Sequence, residues 1–340
     1  MTKKILIFKN DRGGDLLNSI QSISSLLNNK NDITIFLSNY NYSFSFLFKN
    51  ANVKKINYNL NLFDKIYLIF FIIFNKFDEI YILTPKNFFF FLPFFFRNIK
   101  FYGITIKGNK RDRPIFFLKQ FLHKSVTIYR NKKNIIPSSN LQFELIDKKI
   151  SIDISCKNLS QPKLDDYLLN NLPKNFILVQ FKEIFFSKIN LVNDDFLFLL
   201  NQLSNKFNNI VLFSDLEKTN FNNFFIKKLD YINCDEKKIY FKSLKPNLIY
   251  LHNINIENLF SLVKLAENIL CPHGLLSHMA KFYNKKSLSL FNFEINNKSD
   301  LLHQKIAFSE WYQGKDLKFT MLNKSRDKTV RKILNFFKNN

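Results

Sequence analysis

Short apolar runs alternate with helical stretches along the whole chain, and this alternation constrains the fold more than any other feature of the sequence. Lys4–Phe8 (KILIF) predicts a buried strand, Leu16–Leu27 a helix and Ile33–Leu37 (ITIFL) the next strand. Apolar runs this short are typical of strands that are covered on both faces of a parallel sheet, with helices as the connections. The chain is therefore predicted to be an α/β protein.

The alternation begins again after a polar segment in the middle of the chain. Ser155–Pro173 carries two prolines and has weak periodicity, and Phe176–Phe181 (FILVQF) then opens a second series of strands and helices. The 340 residues are enough for about two domains. We predict two Rossmann-like, doubly wound domains, residues 1–158 and 159–340. We expect them to face each other across a cleft, with ligands beyond the carboxyl ends of the strands.

Cysteine usage and hydropathy exclude several classes of protein. The three cysteines, Cys156, Cys234 and Cys271, are odd in number and widely spaced, so a disulfide framework and a CxxC site are not indicated and a reducing compartment is expected. The two most apolar patches, Ile66–Phe74 and Phe88–Phe96, hold nine residues each, whereas a membrane-spanning helix needs about 20. The second patch suits a core or a membrane surface, and the core is favoured.

Positive charge is concentrated in the first half of the chain. The chain has 51 Lys and Arg against 27 Asp and Glu, a net charge of +24, and residues 1–150 account for +15. Arg97–Lys133 contains eleven basic residues, Arg111 and Arg113 among them, against Asp112 alone. Such a local excess favours an anionic partner, which could be a lipid, a nucleic acid or a small phosphorylated substrate. A solvated lysine-rich loop that reflects composition bias is the plain alternative.

A glycine-rich segment, Asn10–Asp15 (NDRGGD), follows the first predicted strand. Gly13 and Gly14 allow a tight turn, and Asp15 then opens a helix. The segment is not the GxGxxG fingerprint, and no acidic residue follows in the strand-end position that binds ribose, so a dinucleotide site is not indicated. Asp15 suits a helix N-cap or, at the floor of a cleft, a general base.

A second segment, Cys271–Ala280 (CPHGLLSHMA), follows a predicted strand and opens a helix. The backbone N–H groups of Gly274 to Ser277 would lie at the helix N-terminus, where phosphate and pyrophosphate groups bind. Ser277 and His278 could add side-chain donors, although a packed core histidine is the alternative for His278. His273 and His278 are five residues apart and match no zinc motif, so no metal site is predicted.

Lys188 is a third candidate. With Lys182, Glu183 and Ser187 it lines the loop that follows the strand Phe176–Phe181, within the segment Gln180–Lys188. From that strand end it could pair with a phosphate, although one lysine among many is weak evidence by itself.

Taken in order, these segments resemble the family 9 glycosyltransferases, the ADP-heptose:lipopolysaccharide heptosyltransferases. The resemblance covers most of the chain, and its specificity lies in the order and spacing of the segments. It rests on the opening KILIFKNDRGGDLLNSIQSISSL, on Lys76–Leu83 with Phe101–Gly103, on Ile184–Leu191 with the following strand Ile210–Ser214, and on Leu259–Phe291. It implies a GT-B fold and an inverting, metal-independent transfer with no cofactor other than the nucleotide-sugar co-substrate, ADP-heptose by analogy.

The resemblance also implies roles for individual residues. Asp15 matches the catalytic base, and Gly13 and Gly14 match the turn that places it. Lys188 matches a lysine that contacts the donor phosphates. The turn and helix start that hold the donor pyrophosphate match His273, Gly274, Leu275, Ser277 and His278.

Two departures from the family pattern concern the donor side. The usual Asp-Thr-Gly is Pro272-His273-Gly274 here, and Asn292 stands where a glycine is expected. An acidic contact to the donor sugar or to a neighbour is therefore missing, and the identity of the donor is open.

Partners and location are implied in the same way. The resemblance implies a nucleotide-sugar donor in the C-terminal domain. The acceptor would be an anionic glycolipid or polysaccharide, such as a lipopolysaccharide core, on the N-terminal domain beside Arg12, Arg111 and Arg113. We expect a cytoplasmic monomer in peripheral contact with the inner face of the bacterial inner membrane. Its last helix, about residues 325–338, is expected to pack back on the N-terminal domain.

Two alternatives to this interpretation stay open. A catalytically silent relative that binds a sugar nucleotide or glycolipid without turnover is suggested by Pro272-His273 in place of the acidic turn. A basic nucleic-acid-binding protein would explain the charge. It would not explain two series of strands and helices with an anion site in the second, and nucleic acid is therefore not the partner we expect.

Overall fold

The chain folds into two compact units. In a computed structural model of the protein, one unit comprises Met1–Gln161 and Ser299–Tyr312 and the other Pro162–Lys298 and Gln313–Asn340. The first division lies three residues from the predicted boundary. The structure describes residues 2–27, 31–107, 113–114, 116–129, 138–146, 159–182, 185–186, 194–214, 230–235, 238–242, 248–252, 254–291, 308, 317–321 and 325–338.

The first unit is built on a parallel sheet. Its described strands are β1 (Lys3–Lys9), β2 (Asn31–Ser38), β3 (Asn52–Ile56), β4 (Glu79–Ile82), β5 (Lys100–Lys107) and β6 (Lys124–Tyr129). They lie in the order β3-β2-β1-β4-β5-β6, and every pairing is parallel. The connections include α1 (Gly13–Leu26), two 3₁₀ helices (Tyr42–Phe48 and Phe116–Phe121), α2 (Leu62–Asn75) and α3 (Asn87–Phe95), and α4 (Ser138–Leu145) follows β6. This strand order is the Rossmann order.

The first core lies between the sheet and the helices that follow β3 and β4. Phe8 and Ile80 of the sheet pack with Leu68 of α2 and with Phe89 and Phe90 of α3, all of them buried. Because crossovers between parallel strands are right-handed, the connections β3-to-β4, β4-to-β5 and β5-to-β6 share one face of the sheet. Helices α2 and α3 and the second 3₁₀ helix therefore lie side by side.

Two strands lie within the basic segment Arg97–Lys133, for which the sequence predicts only a charged surface or a lysine-rich loop. Lys100 and Lys107 are the exposed ends of β5, and Phe101 to Thr105 between them are buried. Strand β6 pairs with β5 in parallel along its whole length. The charge of this segment is therefore carried at strand ends and in connections, and its middle belongs to the sheet.

The second unit repeats the topology of the first. Its described strands are β7 (Ile177–Phe181), β8 (Ile210–Ser214), β9 (Asp230–Asp235), β10 (Lys238–Lys242), β11 (Leu248–His252), β12 (Asn268–Pro272), β13 (Lys286–Phe291) and β14 (Leu317–Met321). They are ordered β14-β13-β12-β7-β8-β11-β10-β9, with β10 antiparallel to both neighbours and the other pairings parallel. Without β9 and β10 the order is again that of a Rossmann domain. The described helices are α5 (Asp166–Asn171), α6 (Asp194–Ser204), α7 (Ile256–Leu265), α8 (Leu275–Phe282) and α9 (Arg326–Lys338).

The last helix packs in the core of the second unit. Val330, Ile333 and Phe337 of α9 are buried there with Leu199 of α6, and the ring of Phe337 lies 5.3 Å from that of Phe207. The helix therefore belongs to the core of its own unit, and its packing on the first domain stays a prediction.

The apolar patch Phe88–Phe96 is divided between core and surface. Phe89, Phe90 and Leu92 are buried, whereas Phe94 and Phe95 are exposed. Among the helices that the structure describes, none is long and apolar enough to cross a membrane.

Candidate functional site

The order of the parallel strands of each unit runs in opposite directions across the sheet from a switch point, and in open α/β sheets ligands bind at the carboxyl ends of the two strands that flank it. In the first unit these strands are β1 and β4, and in the second they are β7 and β12. Functional residues are therefore expected in the segments that follow these four strands.

A buried ion pair follows β1 in the first unit. The Nζ of Lys9 lies 2.6 Å from Oδ2 of Asp11 and donates to the carbonyl of Leu83 at 3.1 Å. Thr84 donates its hydroxyl to Oδ2 of Asp11 at 3.2 Å, and Asn41 donates to Oδ1 at 3.4 Å. Asp11 therefore joins the ends of β1, β2 and β4.

Burial and neighbouring charge act in opposite directions on Asp11. The pKa of its carboxyl group is raised to about 6, chiefly by burial and in part by the nearby Asp15, against the charge of Lys9, which lowers it. The carboxylate is mostly charged at neutral pH, and its charge is balanced by Lys9. Asp11 therefore acts as a support that holds the loop before α1.

Lys86 fixes the same region from the end of β4. Its Nζ donates to the carbonyl oxygens of Asn10, at 2.9 Å, and of Tyr58, and it lies 4.1 Å from the centre of the Tyr58 ring. Burial lowers the pKa of Lys86 to about 8, while Asp11 raises it. Neither Lys86 nor Lys9 is among the candidates predicted from the sequence. The signal that could have found them is their place after strands, since Lys9 directly follows the predicted strand Lys4–Phe8 and Lys86 lies in the segment after β4.

Asp15 is the third residue of α1, not its N-cap. Arg12 is the N-cap and makes no side-chain capping bond. In the first turn the carboxylate of Asp15 is stabilised by the helix dipole, and it is partly exposed. Gly13 and Gly14 are helical residues without positive φ, so they do not form the predicted glycine turn.

The structure describes two of the three arginines that are predicted on the acceptor side. Arg12 and Arg113 are exposed, and the backbone N–H of Arg113 donates to the carbonyl of Ile106 at 2.8 Å. Arg111 lies outside the described residues. Arg12 is the N-cap of the helix whose third residue is Asp15. Arg113 instead pairs with Ile106 near the end of β5.

Gly274 makes the turn after β12 in the second unit. Its φ is +156°, which strains other residues, although an added Cβ would meet nothing within 4 Å. Leu275 begins α8, and the first intrahelical bond runs from the N–H of His278 to the carbonyl of Gly274 at 3.4 Å. The N–H groups of Leu275, Leu276 and Ser277 precede this bond, at the positive end of the helix dipole.

The hydroxyl of Ser277 is used inside the protein. It accepts from the hydroxyl of Ser289 at 2.7 Å and lies 3.4 Å from the sulfur of Cys271. Ser277 is buried, so its side chain connects α8 to β12 and β13 and does not provide the predicted donor to a ligand. Its backbone N–H is the group that can serve there.

Burial keeps both histidines of this segment neutral. Burial, followed by the charges of His273 and Lys281, holds the pKa of His278 well below its usual range. Burial and the nearby Lys182 lower the pKa of His273 to about 4, and its ring stacks on Phe291 with centroids 4.4 Å apart. At neutral pH neither imidazole provides positive charge for a phosphate, and His278 fits the packed core histidine.

Lys182 provides positive charge at this site. It follows β7 directly, β7 pairs with β12, and Lys182 is close enough to lower the pKa of His273. The sequence favours Lys188 from the same loop, but Lys188 lies outside the described residues. The position of Lys182 immediately after a predicted strand is the signal that could have selected it.

Neither an activated cysteine nucleophile nor a metal-binding cluster is indicated among the described residues of this site. Burial raises the pKa of Cys271 to about 11, so its thiol is not activated as a nucleophile. Within the described part of the chain, no group of three or more His, Cys, Asp or Glu side chains could hold a metal ion. Metal independence stays a prediction.

The chain is similar to known proteins in its three-dimensional structure and not in its sequence. No protein-family model matches the chain, and no curated protein matches it in sequence. A glycosyl transferase family 9 structure from Veillonella parvula has a TM-score of 0.60 at 10% identity, covering 99% of this chain and 89% of that one. An Escherichia coli heptosyltransferase with ADP has a TM-score of 0.59 at 8% identity, covering 99% and 97%. The chain has the two-domain GT-B fold.

This fold is shared by enzymes of different reactions. A UDP-GlcNAc 2-epimerase from Methanocaldococcus jannaschii has a TM-score of 0.56 at 10% identity and covers 100% of this chain and 93% of that one. Identities this low establish the fold alone. The activity must therefore be argued from the residues at the two switch points.

We predict that the Lys9–Asp11 pair is strongly coupled. Asp11→Asn leaves the ammonium of Lys9 buried without its counter-charge, which should cost about 3 kcal/mol of unfolding free energy. In urea unfolding at pH 7.5, Lys9→Met combined with Asp11→Asn should be less destabilised than the sum of these two single variants by about 2 kcal/mol. Lys4→Met, which breaks the pair of Lys4 with Asp32 in which both side chains are exposed, is the control and should cost less than about 1 kcal/mol. Additive single effects at Lys9 and Asp11 would contradict the coupling.

We also predict acid sensitivity from His273. Its pKa is about 6.5 in an unfolded chain and about 4 in the folded protein, so the unfolded state binds more protons between these values. The unfolding free energy should therefore fall from pH 6.5 to pH 4, by roughly 3 kcal/mol for this residue. His273→Gln should remove this part of the pH dependence. The raised pKa of Asp11 acts in the opposite direction and is unchanged by the substitution, so the difference between the two denaturation profiles isolates His273. Parallel profiles would show that His273 is not buried as described.

Proposed function

We propose that this chain is a glycosyltransferase that takes a nucleotide-sugar donor in its second unit. The observation that carries the proposal is the arrangement after β12. Gly274 opens α8 at the switch point, and the N–H groups of Leu275 to Ser277 lie at a helix N-terminus beside Lys182. This combination fits a diphosphate, because backbone donors, the helix dipole and a lysine charge act on the same group.

Asp15 is the proposed general base. In an inverting transfer, the acceptor hydroxyl oxygen attacks the anomeric carbon while the bond from that carbon to the diphosphate oxygen breaks on the opposite face. The hydroxyl proton passes to the Asp15 carboxylate, and the leaving nucleoside diphosphate carries away the bonding electron pair. The α8 N-terminus and Lys182 would stabilise the charge that develops on the leaving group. Lys188 is proposed as a second phosphate contact by resemblance.

The donor and the acceptor are proposed by analogy. Resemblance to the heptosyltransferases suggests ADP-heptose, and the structure from Escherichia coli contains ADP. An anionic acceptor such as a lipopolysaccharide core would suit the basic first unit, where Arg12 and Arg113 are exposed. We propose that no metal ion or other cofactor takes part, since the residues that act here are a carboxylate, a lysine and backbone N–H groups.

Three other functions are distinguished by their products. An epimerase would convert a nucleotide sugar without an acceptor, and a silent relative would bind it without turnover. A nucleic-acid-binding protein would bind RNA or DNA in a salt-sensitive manner and no nucleotide sugar. Transfer is preferred because Asp15 lies at the switch point of the first unit, where an acceptor hydroxyl needs a base.

We predict that Lys182→Ala weakens donor binding. Removing one charged contact to a diphosphate should raise Kd about tenfold or more. A thermal-shift screen of ADP-, GDP-, UDP- and CMP-sugars first identifies the donor class, because a bound ligand raises stability by mass action. Lys174→Ala is the matched control, since Lys174 is an exposed lysine of the same unit before β7. A wild-type protein that shifts with none of these sugars would rule out the transferase proposal.

We predict that Asp15→Asn slows transfer and spares donor binding. Loss of a positioned general base should lower kcat by about 10²–10⁴, because Asn keeps the shape and removes the proton acceptor. The rate is measured as nucleoside diphosphate released in the presence of acceptor, and donor binding by thermal shift. An unchanged rate would mean that Asp15 is not the base.

A further inference from the structure

The outer surface of the first unit carries a continuous group of exposed aromatic side chains. Phe63 and Phe74 of α2 are 81% and 77% exposed, and Phe95 of α3 is 67% exposed. We call this surface the aromatic face. It is formed by Phe63, Phe70, Phe74, Phe94, Phe95 and Phe117.

The three elements of the aromatic face form one surface. Helices α2 and α3 cover the same core on the same side of the sheet. The rings of Phe94 in α3 and Phe121 in the second 3₁₀ helix lie 5.7 Å apart. The Nζ of Lys65 in α2 lies 6.0 Å from the ring centre of Phe88 in α3.

Core packing does not explain the aromatic face. A helix on the surface of a sheet is normally polar on its outer side, and α2 already buries Leu68 and Ile72 on its inner side. Its outer positions are apolar at helical spacing, with Phe63, Tyr67, Phe70 and Phe74 all exposed. Contiguous apolar surface of this kind marks an interaction site.

The charges around the aromatic face are positive. Lys76 follows α2, and Arg97 and Lys100 follow α3, all three exposed. The acidic residues of the same region are engaged with the protein. Asp64 completes the capping box of α2, and Asp78 accepts from the backbone N–H of Lys4 at 2.8 Å. The partner should therefore be apolar in part and negatively charged.

We propose that the aromatic face binds the surface of an anionic lipid bilayer. Exposed aromatic and aliphatic side chains enter the boundary between headgroups and acyl chains, and the basic residues beside them pair with anionic headgroups. A second copy of the chain fits less well, because a two-fold contact would bring Lys76, Arg97 and Lys100 near their own copies. This inference assigns a surface to the peripheral membrane contact that the resemblance implies, and it does not depend on glycosyl transfer.

The test is flotation of the full chain with vesicles. Binding is expected to vesicles of phosphatidylcholine with phosphatidylglycerol, to weaken with salt, and to be lower on phosphatidylcholine alone. The variant Phe63→Ser/Phe74→Ser/Phe95→Ser should lower the partition coefficient about tenfold or more. The variant Arg97→Gln/Lys100→Gln should lower binding to the anionic vesicles only.

Matched controls use equally exposed residues elsewhere. Leu169→Ser and Tyr40→Ser replace apolar side chains that are 54% and 63% exposed, and Lys174→Gln removes one exposed charge. These variants should bind as the wild type does. All variants are checked by circular dichroism and by thermal unfolding, which exposed substitutions should leave unchanged.

Three results would overturn the inference. The wild type could fail to float with anionic vesicles, or the triple phenylalanine variant could float equally well. Alternatively, sedimentation could show a dimer that the phenylalanine substitutions dissociate, without vesicle binding, which would assign the face to a second copy. The thermal-shift screen with nucleotide sugars uses no membrane, so failure of the lipid proposal and failure of the transferase proposal are separate results.

Discussion

The reversal of strand order beside β1 and β7 is the constraint on which the rest of this structure depends. Connections to one side of the first strand cover one face of the sheet, and connections to the other side cover the opposite face. The carboxyl ends of the two flanking strands are therefore left uncovered. In this chain those ends carry Lys9 and Lys86 in the first unit and Lys182 and Gly274 in the second.

Burial then decides which of these groups carries charge. His273 and His278 are so poorly solvated that the neutral imidazole is favoured, which leaves lysine and backbone N–H groups for anion binding. In the first unit a charged carboxylate is buried instead, because Asp11 is paired with the ammonium of Lys9. A partly exposed carboxylate, Asp15, lies in the first turn of the helix that follows this supported loop.

The phenylalanine-rich composition has different consequences on the two sides of one helix. On the inner side of α3, Phe89 and Phe90 fill the core, and any large apolar side chain of that shape would serve. On the outer side, Phe94 and Phe95 contribute less to folding because more than half of each side chain stays exposed. Composition bias can account for the choice of phenylalanine, but not for an apolar outer side that continues across three elements.

The sequence by itself determined the most apolar strands, such as β1, β2 and β7, the two-unit organisation and the turn at Gly274. Strands buried on both faces must be apolar runs, and a positive φ favours glycine. Both features can therefore be recognised from a few neighbouring residues. Strands β5 and β6 were not predicted, because lysines interrupt the apolar pattern where these strands begin or end. Only the tertiary structure decided that Lys182 lies near His273, that the Ser277 hydroxyl is taken by Ser289, and that Asp11 pairs with Lys9 and Thr84. These contacts depend on which strands become neighbours and on how far each side chain is buried, and neither quantity is encoded at a single position.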